Sequence, residues 1–352
     1  MPVWWEPERF AEKRLRLEAR ARVLRAVRSY FESQRFVEVE TPALQVSPGM
    51  EPHLKALATA LHEPFGGPQD GQSTLYLHTS PEFTMKKLIV AGVPRLYQLA
   101  HAFRDGERSD LHHPEFTMLE WYRTDTGTAG IIDDCMAVVR AAAKAAGAKL
   151  FQRNDASCDP FAEWEQLSVA EAFMRDAGID LLSVLGQDDD PDPAPIKAEA
   201  RRIGIKCEDH DRFEDVFFRI LLARIEPNLG RDRPTVLYDY PLCLSALAKA
   251  KASDSRIADR FEIYVCGVEL ANGCVELTDA AGHRRRFARD IAIKQRLYGI
   301  QYPADEDFLA ALDRGLPDCA GVALGFDRLV MLATGAKSIE DVLWAPVAGP
   351  NR

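Results

Sequence analysis

None of the seven cysteines is paired as Cys-x-x-Cys, so the sequence offers neither a zinc-ribbon spacing nor a redox dithiol. Their odd number gives no disulfide framework. Cys266 and Cys274 lie in strand-like surroundings, where a buried free thiol is the ordinary state, and a reducing, cytoplasmic setting is expected. No apolar run approaches the ~20 residues that cross a membrane as a helix. The N-terminal MPVWWEPERFAEKRLRLEARARVLRAV mixes acids with bases and has no apolar stretch ending in small residues, so no secretion leader is expected. Phosphate-cradling loops are missing too: neither GxxxxGK[ST] nor a GxGxxG after a strand occurs. A bound nucleotide would have to be held by side chains on a sheet. The formal charge of −10 speaks against a broad nucleic-acid surface, though not against a local basic patch.

What is present is the composition of a soluble globular protein, 47% hydrophobic and 28% charged over 352 residues, long enough for one large α/β domain or two ordinary ones. Residues 9–34 predict an amphipathic helix, with Val23, Leu24, Val27, Tyr30 and Phe31 at i, i+3, i+4 spacing. RFVEVETP (35–42) alternates like a strand and is halted by Pro42. A strand at 74–79, a Ser80-Pro81 turn and a helix to about Val90 follow. Residues 95–104 and 115–123 read as two strands, and an Ala-rich helix ends at Gly147. From about 150 to 234 the chain is read as a mostly helical insertion, with helices near 168–177, 195–203 and 212–225 and an acidic surface break, GQDDDPDPAP. Strands then return and the chain ends in GVALGFDRLVMLATG. Long antiparallel strands flanked by helices predict an α+β fold with a mainly antiparallel sheet.

The chemistry-bearing residues concentrate in AHAFRDGERSDLHHPEFTMLEWYR (100–123). Arg104 closes one strand, while Phe116, Glu120 and Tyr122 share a face of the next. Singly, each has a plain reading: Arg104 paired with Asp105 or Glu107, Phe116 in a core. Arg328, after the Gly321 and Gly325 turn, would pair with Asp327. Glu262, Glu269 and Glu276 recur seven apart. An Asn272-Gly273 hairpin would put Glu269 and Glu276 on facing strands; Glu262 and Glu269 share a face only if a bulge or turn intervenes near Cys266-Gly267. His112-His113 with Glu115 looks metal-like, but neighbours on a strand face opposite ways.

In order along the chain these segments resemble the class II aminoacyl-tRNA synthetases. RFVEVETP and its helix (about 20–42) are similar to motif 1, FRDGERSDLHHPEFTMLEWY (about 100–123) to motif 2 and GVALGFDRLVM (about 321–335) to motif 3. TSPEFTMKKL, PEFTMLEWY and GVELANGCVELTDA resemble the lysyl branch. The resemblance implies a single class II catalytic domain over 1–352 that binds ATP and Mg²⁺ and dimerises through motif 1. By it, Arg104 contacts the α-phosphate, Arg328 the γ-phosphate, and Phe116 stacks on adenine, with Glu107, His113, Leu270 and Gly325 around the nucleotide. Glu262 and Glu269 would hold Mg²⁺, with Glu269 also beside ATP. Ser80, Glu82 and Glu120 would face the substrate amine, Tyr122 its side chain and Glu276 its distal ammonium; Ala323 would lie beside the substrate backbone.

Two positions depart from the pattern: Gly106 stands where the family has a motif 2 glutamate, and His113 where it has asparagine. The chain also has one helix where lysyl-tRNA synthetases carry an anticodon-binding domain, so a tRNA acceptor is not expected. The truncated paralogues it most resembles are the elongation factor P–(R)-β-lysine ligases, which adenylate (R)-β-lysine and transfer it to a lysine of elongation factor P. Ala323, in place of a glycine, would disfavour an α-amine. Rival readings are a minimal synthetase charging another acceptor, an ammonia-dependent asparagine synthetase, and a non-catalytic amino-acid-binding paralogue. Glu120 and Glu276 favour a cationic substrate over aspartate.

Overall fold

A computed structural model describes residues 4–62, 72–124, 126–187 and 190–348; part of the acidic break, at 188–189, lies outside them. The N-terminal helix α1 (Pro7–Ser33) buries Leu17, Val23, Val27 and Phe31 on one stripe and leads to a two-residue strand, β1 (Val37–Glu38). Pairing therefore stops well before Pro42. A small sheet follows, made of β2 (Leu44–Gln45), β3 (Ala58–His62) and β4 (Gln72–Leu77). The Ser80-Pro81 turn starts α2 (Glu82–Val90), and then come the long strands β5 (Arg95–Phe103) and β6 (Glu115–Thr124). Helix α3 (Thr128–Ala146) ends on Gly147 at φ 78°, a left-handed cap that glycine adopts without a Cβ clash.

The segment read as a helical insertion opens instead with strands. The hairpin β7 (Phe151–Arg153) and β8 (Ala156–Cys158) is followed by β9 (Glu165–Ser168). Helices α4 (Val169–Ala177), α5 (Leu181–Val184), α6 (Ala194–Arg202) and α7 (Phe213–Ile220) build their own core around Phe173, Phe213 and Phe217. The chain re-enters the main sheet through β10 (Thr235–Tyr238), β11 (Arg260–Val265) and β12 (Val268–Val275). It finishes with α8 (Ala280–Tyr298), α9 (Glu306–Gly315), β13 (Cys319–Gly325) and α10 (Phe326–Thr334).

The main sheet runs β1-β5-β6-β13-β12-β11-β10-β9. Its interior is antiparallel, but both outer pairs, β1 with β5 and β9 with β10, are parallel. The fold is α+β, as expected. One face packs on α1, α3 and α10 through Phe31, Trp121, Val138 and Leu329. The other face is covered at both ends, by α2, α8 and α9 against Leu96 and Tyr122 and by α4 and α7 against Leu237 and Tyr264, and is open between them.

The anticipated Asn272-Gly273 hairpin does not form: β12 runs straight through both residues. A Cβ on Gly273 would come 2.7 Å from both the Gly321 carbonyl oxygen and the Phe261 ring, so this glycine serves close packing. The chain reverses instead at Cys266-Gly267, with φ of 53° and 69°, a geometry that suits a two-residue hairpin. Glu269 and Glu276 therefore belong to one strand and its end, not to facing strands.

Candidate active site

Period-two alternation divides the central strands between the core and a cavity of about 420 Å³ on the open face. In β6, Leu119 and Trp121 enter the core, while Met118, Glu120 and Tyr122 line the cavity. In β13, Ala320, Val322 and Leu324 are core, whereas Gly321, Ala323 and Gly325 face the cavity. Ala323 pairs with Glu120 on one side and Asn272 on the other, near the middle of the wall.

One end of the cavity is acidic. Glu120 is fully buried; Ser80 Oγ donates to its Oε2 at 2.8 Å and the Tyr122 hydroxyl to its Oε1 at 2.5 Å. Burial, reinforced by Glu82, pushes the Glu120 carboxyl up to about 8. Burial and Glu82 also raise Glu276, to about 7, against the pull of Lys86. The buried Lys86 ammonium sits 2.5 Å from both Glu82 Oε1 and Glu276 Oε2. These two carboxylates outweigh its desolvation and hold its pKa above the ordinary lysine value. Gly321 makes room for the Tyr122 ring, whose atoms would lie 2.2 Å from an added Cβ. Here the missing side chain admits the protein's own ring.

The opposite end is cationic. The Arg104 guanidinium lies 5.1 Å from the Phe116 ring centroid and 3.9 Å from Glu107, and its buried Nε has no hydrogen-bond partner in the protein. Gly106 takes φ 81° in open space, and the cavity is lined by Glu107, one residue later than the family pattern. Arg328 donates to the Glu269 carbonyl at 2.7 Å and contacts His112 Nε2 at 2.8 Å. Asp327, the partner suggested for it by sequence, instead receives Arg20 from α1 and the Thr117 amide. His113 lines the wall with both ring nitrogens taken: Nδ1 donates to the Glu115 carbonyl at 2.6 Å and Nε2 accepts from the Val347 amide at 3.2 Å. Leu270 meets the cavity from within the core cluster.

The two carboxylates expected to hold Mg²⁺ are brought to one face by the two-residue turn at Cys266-Gly267, which pairs Tyr264 with Glu269 and so puts Glu262, two residues before Tyr264, on the side of Glu269. Ile263 pairs with Ala271 but Tyr264 with Glu269, leaving Leu270 as the extra residue. That insertion brings Asn272, rather than Ala271, to the same side as Glu262, Tyr264 and Glu269. Glu262 is buried and engaged by the Tyr240 and Tyr264 hydroxyls and by Arg260. Glu269 is half-buried and lines the cavity. Burial and the neighbouring Glu262 raise its pKa, and burial with Glu269 and Glu262 pushes Glu226 up to about 7. A divalent cation would relieve that repulsion, and one or two carboxylates completed by phosphate oxygens and water are what Mg²⁺ takes. Among the described residues, no group of three His, Cys, Asp or Glu side chains could hold a metal alone.

Sequence reasoning missed three residues here. Lys86 is four after Glu82 on one helix, a detectable i,i+4 pair, but its link to Glu276 is long-range. Arg260 joins Glu262, Asn272 Oδ1 and the Leu244 carbonyl; no local pattern marks it. His112, dismissed as a metal ligand, is the member of the His-His pair that reaches Arg328.

Comparison with known proteins places this geometry. Residues 8–348 match the family described as tRNA synthetases class II (D, K and N). A Pectobacterium atrosepticum protein named elongation factor P–(R)-β-lysine ligase is 39% identical over 346 residues, 96% of each chain. Proteins of the same name from Haemophilus ducreyi and Klebsiella pneumoniae are 36% and 39% identical. The first match covers 96% of this chain and 95% of its own; the second covers 92% of each. With a match over nearly its whole length and relatives well above 30% identity, the chain belongs to the class II tRNA synthetase family of the D, K and N type.

Proposed function

We propose that the protein uses ATP to activate (R)-β-lysine, and lysine poorly, as the aminoacyl-adenylate, and transfers it to a lysine ε-amine of elongation factor P. The observation that carries this reading is the polarity of the cavity: three carboxylates, Glu82, Glu120 and Glu276, at one end, and Arg104, Arg328 and the Phe116 ring at the other. A diamino acid supplies two ammonium groups to the first and ATP its phosphates and base to the second. Its carboxylate then attacks the α-phosphorus and pyrophosphate leaves. Attack by an ionised carboxylate needs positioning and charge neutralisation more than a general base, so no nucleophilic side chain is assigned. Arg104 and Arg328 orient the phosphates. Glu269, with Glu262 behind it, would hold Mg²⁺, which supplies charge neutralisation to the triphosphate when bound.

The acceptor follows from the names of the relatives. The reading further includes one catalytic domain over residues 1–352, action in the cytoplasm and a homodimer. Among the described residues no helix is long and apolar enough to cross a membrane. Exposed Leu15, Val37, Leu44 and Val46 around α1, β1 and β2 supply apolar surface that a second copy would cover. The test is to incubate the protein with Mg-ATP, labelled (R)-β-lysine, elongation factor P and bulk tRNA. Label is expected on elongation factor P and is lost when its acceptor lysine is replaced. Label on tRNA would replace this reading with a minimal synthetase; label on neither, with no pyrophosphate exchange, would favour a non-catalytic paralogue.

A further inference from the structure

Lys86 has no role in the chemistry above, yet it lies buried directly behind the acidic end, against Glu82 and Glu276. A fully buried ammonium persists only when it is paired. Its Nζ is 2.5 Å from Glu82 Oε1 and from Glu276 Oε2, and 5.7 Å from the Tyr122 ring centroid. The titratable groups that face it are Glu82 from its own helix, Glu120 and Tyr122 from β6, Cys274 and Glu276 from β12, His283 from α8 and Cys319 from β13. Burial raises the Tyr122, Cys274 and Cys319 pKa values, and with Lys86 it pushes His283 down to about 4. Those four are neutral at pH 7. The charged set is then three carboxylates and one ammonium, a net of two negative charges when all are ionised.

We propose that Lys86 is a positioning and specificity residue. It is an internal counter-ion that bridges Glu82 and Glu276, leaves one oxygen of each for substrate, and sets the cavity to be neutralised by two ammonium groups. This rests on the diamino-acid reading of the site. The bridge fixes the separation of the acids assigned to the two ends of the substrate, so it acts through them without touching the reacting atoms. An amino acid with one ammonium would leave one of these acids without a cationic partner, so that it must bind with that acid protonated.

The test is calorimetric binding of (R)-β-lysine, lysine, ornithine and, separately, ATP between pH 6.5 and 9.5, with the parent protein, Lys86→Met and Lys86→Arg. Removing the cation makes the acids harder to ionise. Lys86→Met should therefore bind the diamino acid about tenfold or more weakly at pH 7, with the midpoint of its pH dependence moved up by about a unit and ATP affinity unchanged. Lys86→Arg keeps the charge, so its midpoint should stay while its ratio of lysine to ornithine affinity changes. Parental affinity and midpoint in Lys86→Met would overturn the proposal, as would equal loss of ATP and amino-acid binding in a folded variant. If Lys86→Met does not fold, Lys86→Arg decides: an unchanged lysine-to-ornithine ratio overturns it. A parent that binds ATP but none of the diamino acids would instead remove the underlying reading, and the proposal with it.

Discussion

The ligand-free protein should lose stability as the pH rises from 6.5 to 8, against the usual behaviour of salt-bridged carboxylates. The cause is Glu120, raised from the ordinary 4.5 to about 8, with Glu276 and Glu226 each raised to about 7. In this window the folded protein still holds protons that the unfolded chain has released. The native state binds more protons, so stability falls as pH rises through the folded values. The depressed pKa values of His78, His112 and His283 oppose the trend only at the lower edge of this window, where the unfolded imidazoles are still partly protonated, and the raised value of His53 adds to the loss. Lys294, depressed to about 8, opposes it at the upper edge of the window, where it begins to release its proton. At about 1.4 kcal/mol per proton per pH unit, with Glu120 protonated over most of the interval, the loss is about 2 kcal/mol. Urea titrations at half-unit steps would measure it. Glu120→Gln should flatten the slope, and a saturating diamino acid should do the same by supplying ammonium partners. Stability that is constant or rising from pH 6.5 to 8, or an equal fall in Glu120→Gln, would refute the reasoning.

Four substitutions probe the rest of the cavity. Ala323→Gly removes a methyl between Glu120 and Asn272 and should improve α-lysine-dependent pyrophosphate exchange by about 1–3 kcal/mol in kcat/KM; no improvement would count against Ala323 as the discriminating residue. Gly321→Ala drives a methyl into the Tyr122 ring, which should cost about 1–3 kcal/mol in chemical denaturation and raise KM for the amino acid more than for ATP. Phe116→Ala should weaken ATP binding by about 1 kcal/mol, read by calorimetry, with amino-acid binding unchanged. Glu269→Gln should raise the Mg²⁺ concentration needed for half-maximal pyrophosphate exchange, and an unchanged requirement would remove this carboxylate from the metal site.

The face holding Glu120 and Tyr122 was legible because β6 is a regular strand, and a period of two is enough to place its side chains. The Glu262 and Glu269 pair was legible only as a condition. Alternation along one straight strand puts them on opposite faces, and the sequence left open whether a bulge or a turn reconciles them; the two-residue turn at Cys266-Gly267 does so. Asn272-Gly273 misled because an Asn-Gly pair suits a turn equally well as it suits a strand crowded by a neighbouring carbonyl and ring. That crowding comes from Gly321 and Phe261, one of them nearly fifty residues away in the chain. Arg260 and the link of Lys86 to Glu276 were invisible for the same reason, since the groups that give them meaning are brought in by other elements. Ordered motifs carried the architecture, while the three short strands that open the 150–234 segment were missed because none exceeds four residues.

The polarity of the cavity bears on how the proposed reaction is oriented. An α- or β-amino acid entering between the two ends carries ammonium groups and one carboxylate. Glu82, Glu120 and Glu276 attract the former and repel the latter, so the carboxylate is turned toward Arg104 before any nucleotide contact is made. Ala323 and Asn272, uncharged and central, form the stretch of wall where the two substrates would meet. The attacking oxygen is already ionised at neutral pH. Fixed charges at both ends therefore do the orienting in advance, at no reorganisation cost during bond formation. Reversing one end, as with Glu276→Lys, should abolish diamino-acid binding while leaving ATP affinity near the parental value; loss of both together would mean that the two ends are not electrostatically independent.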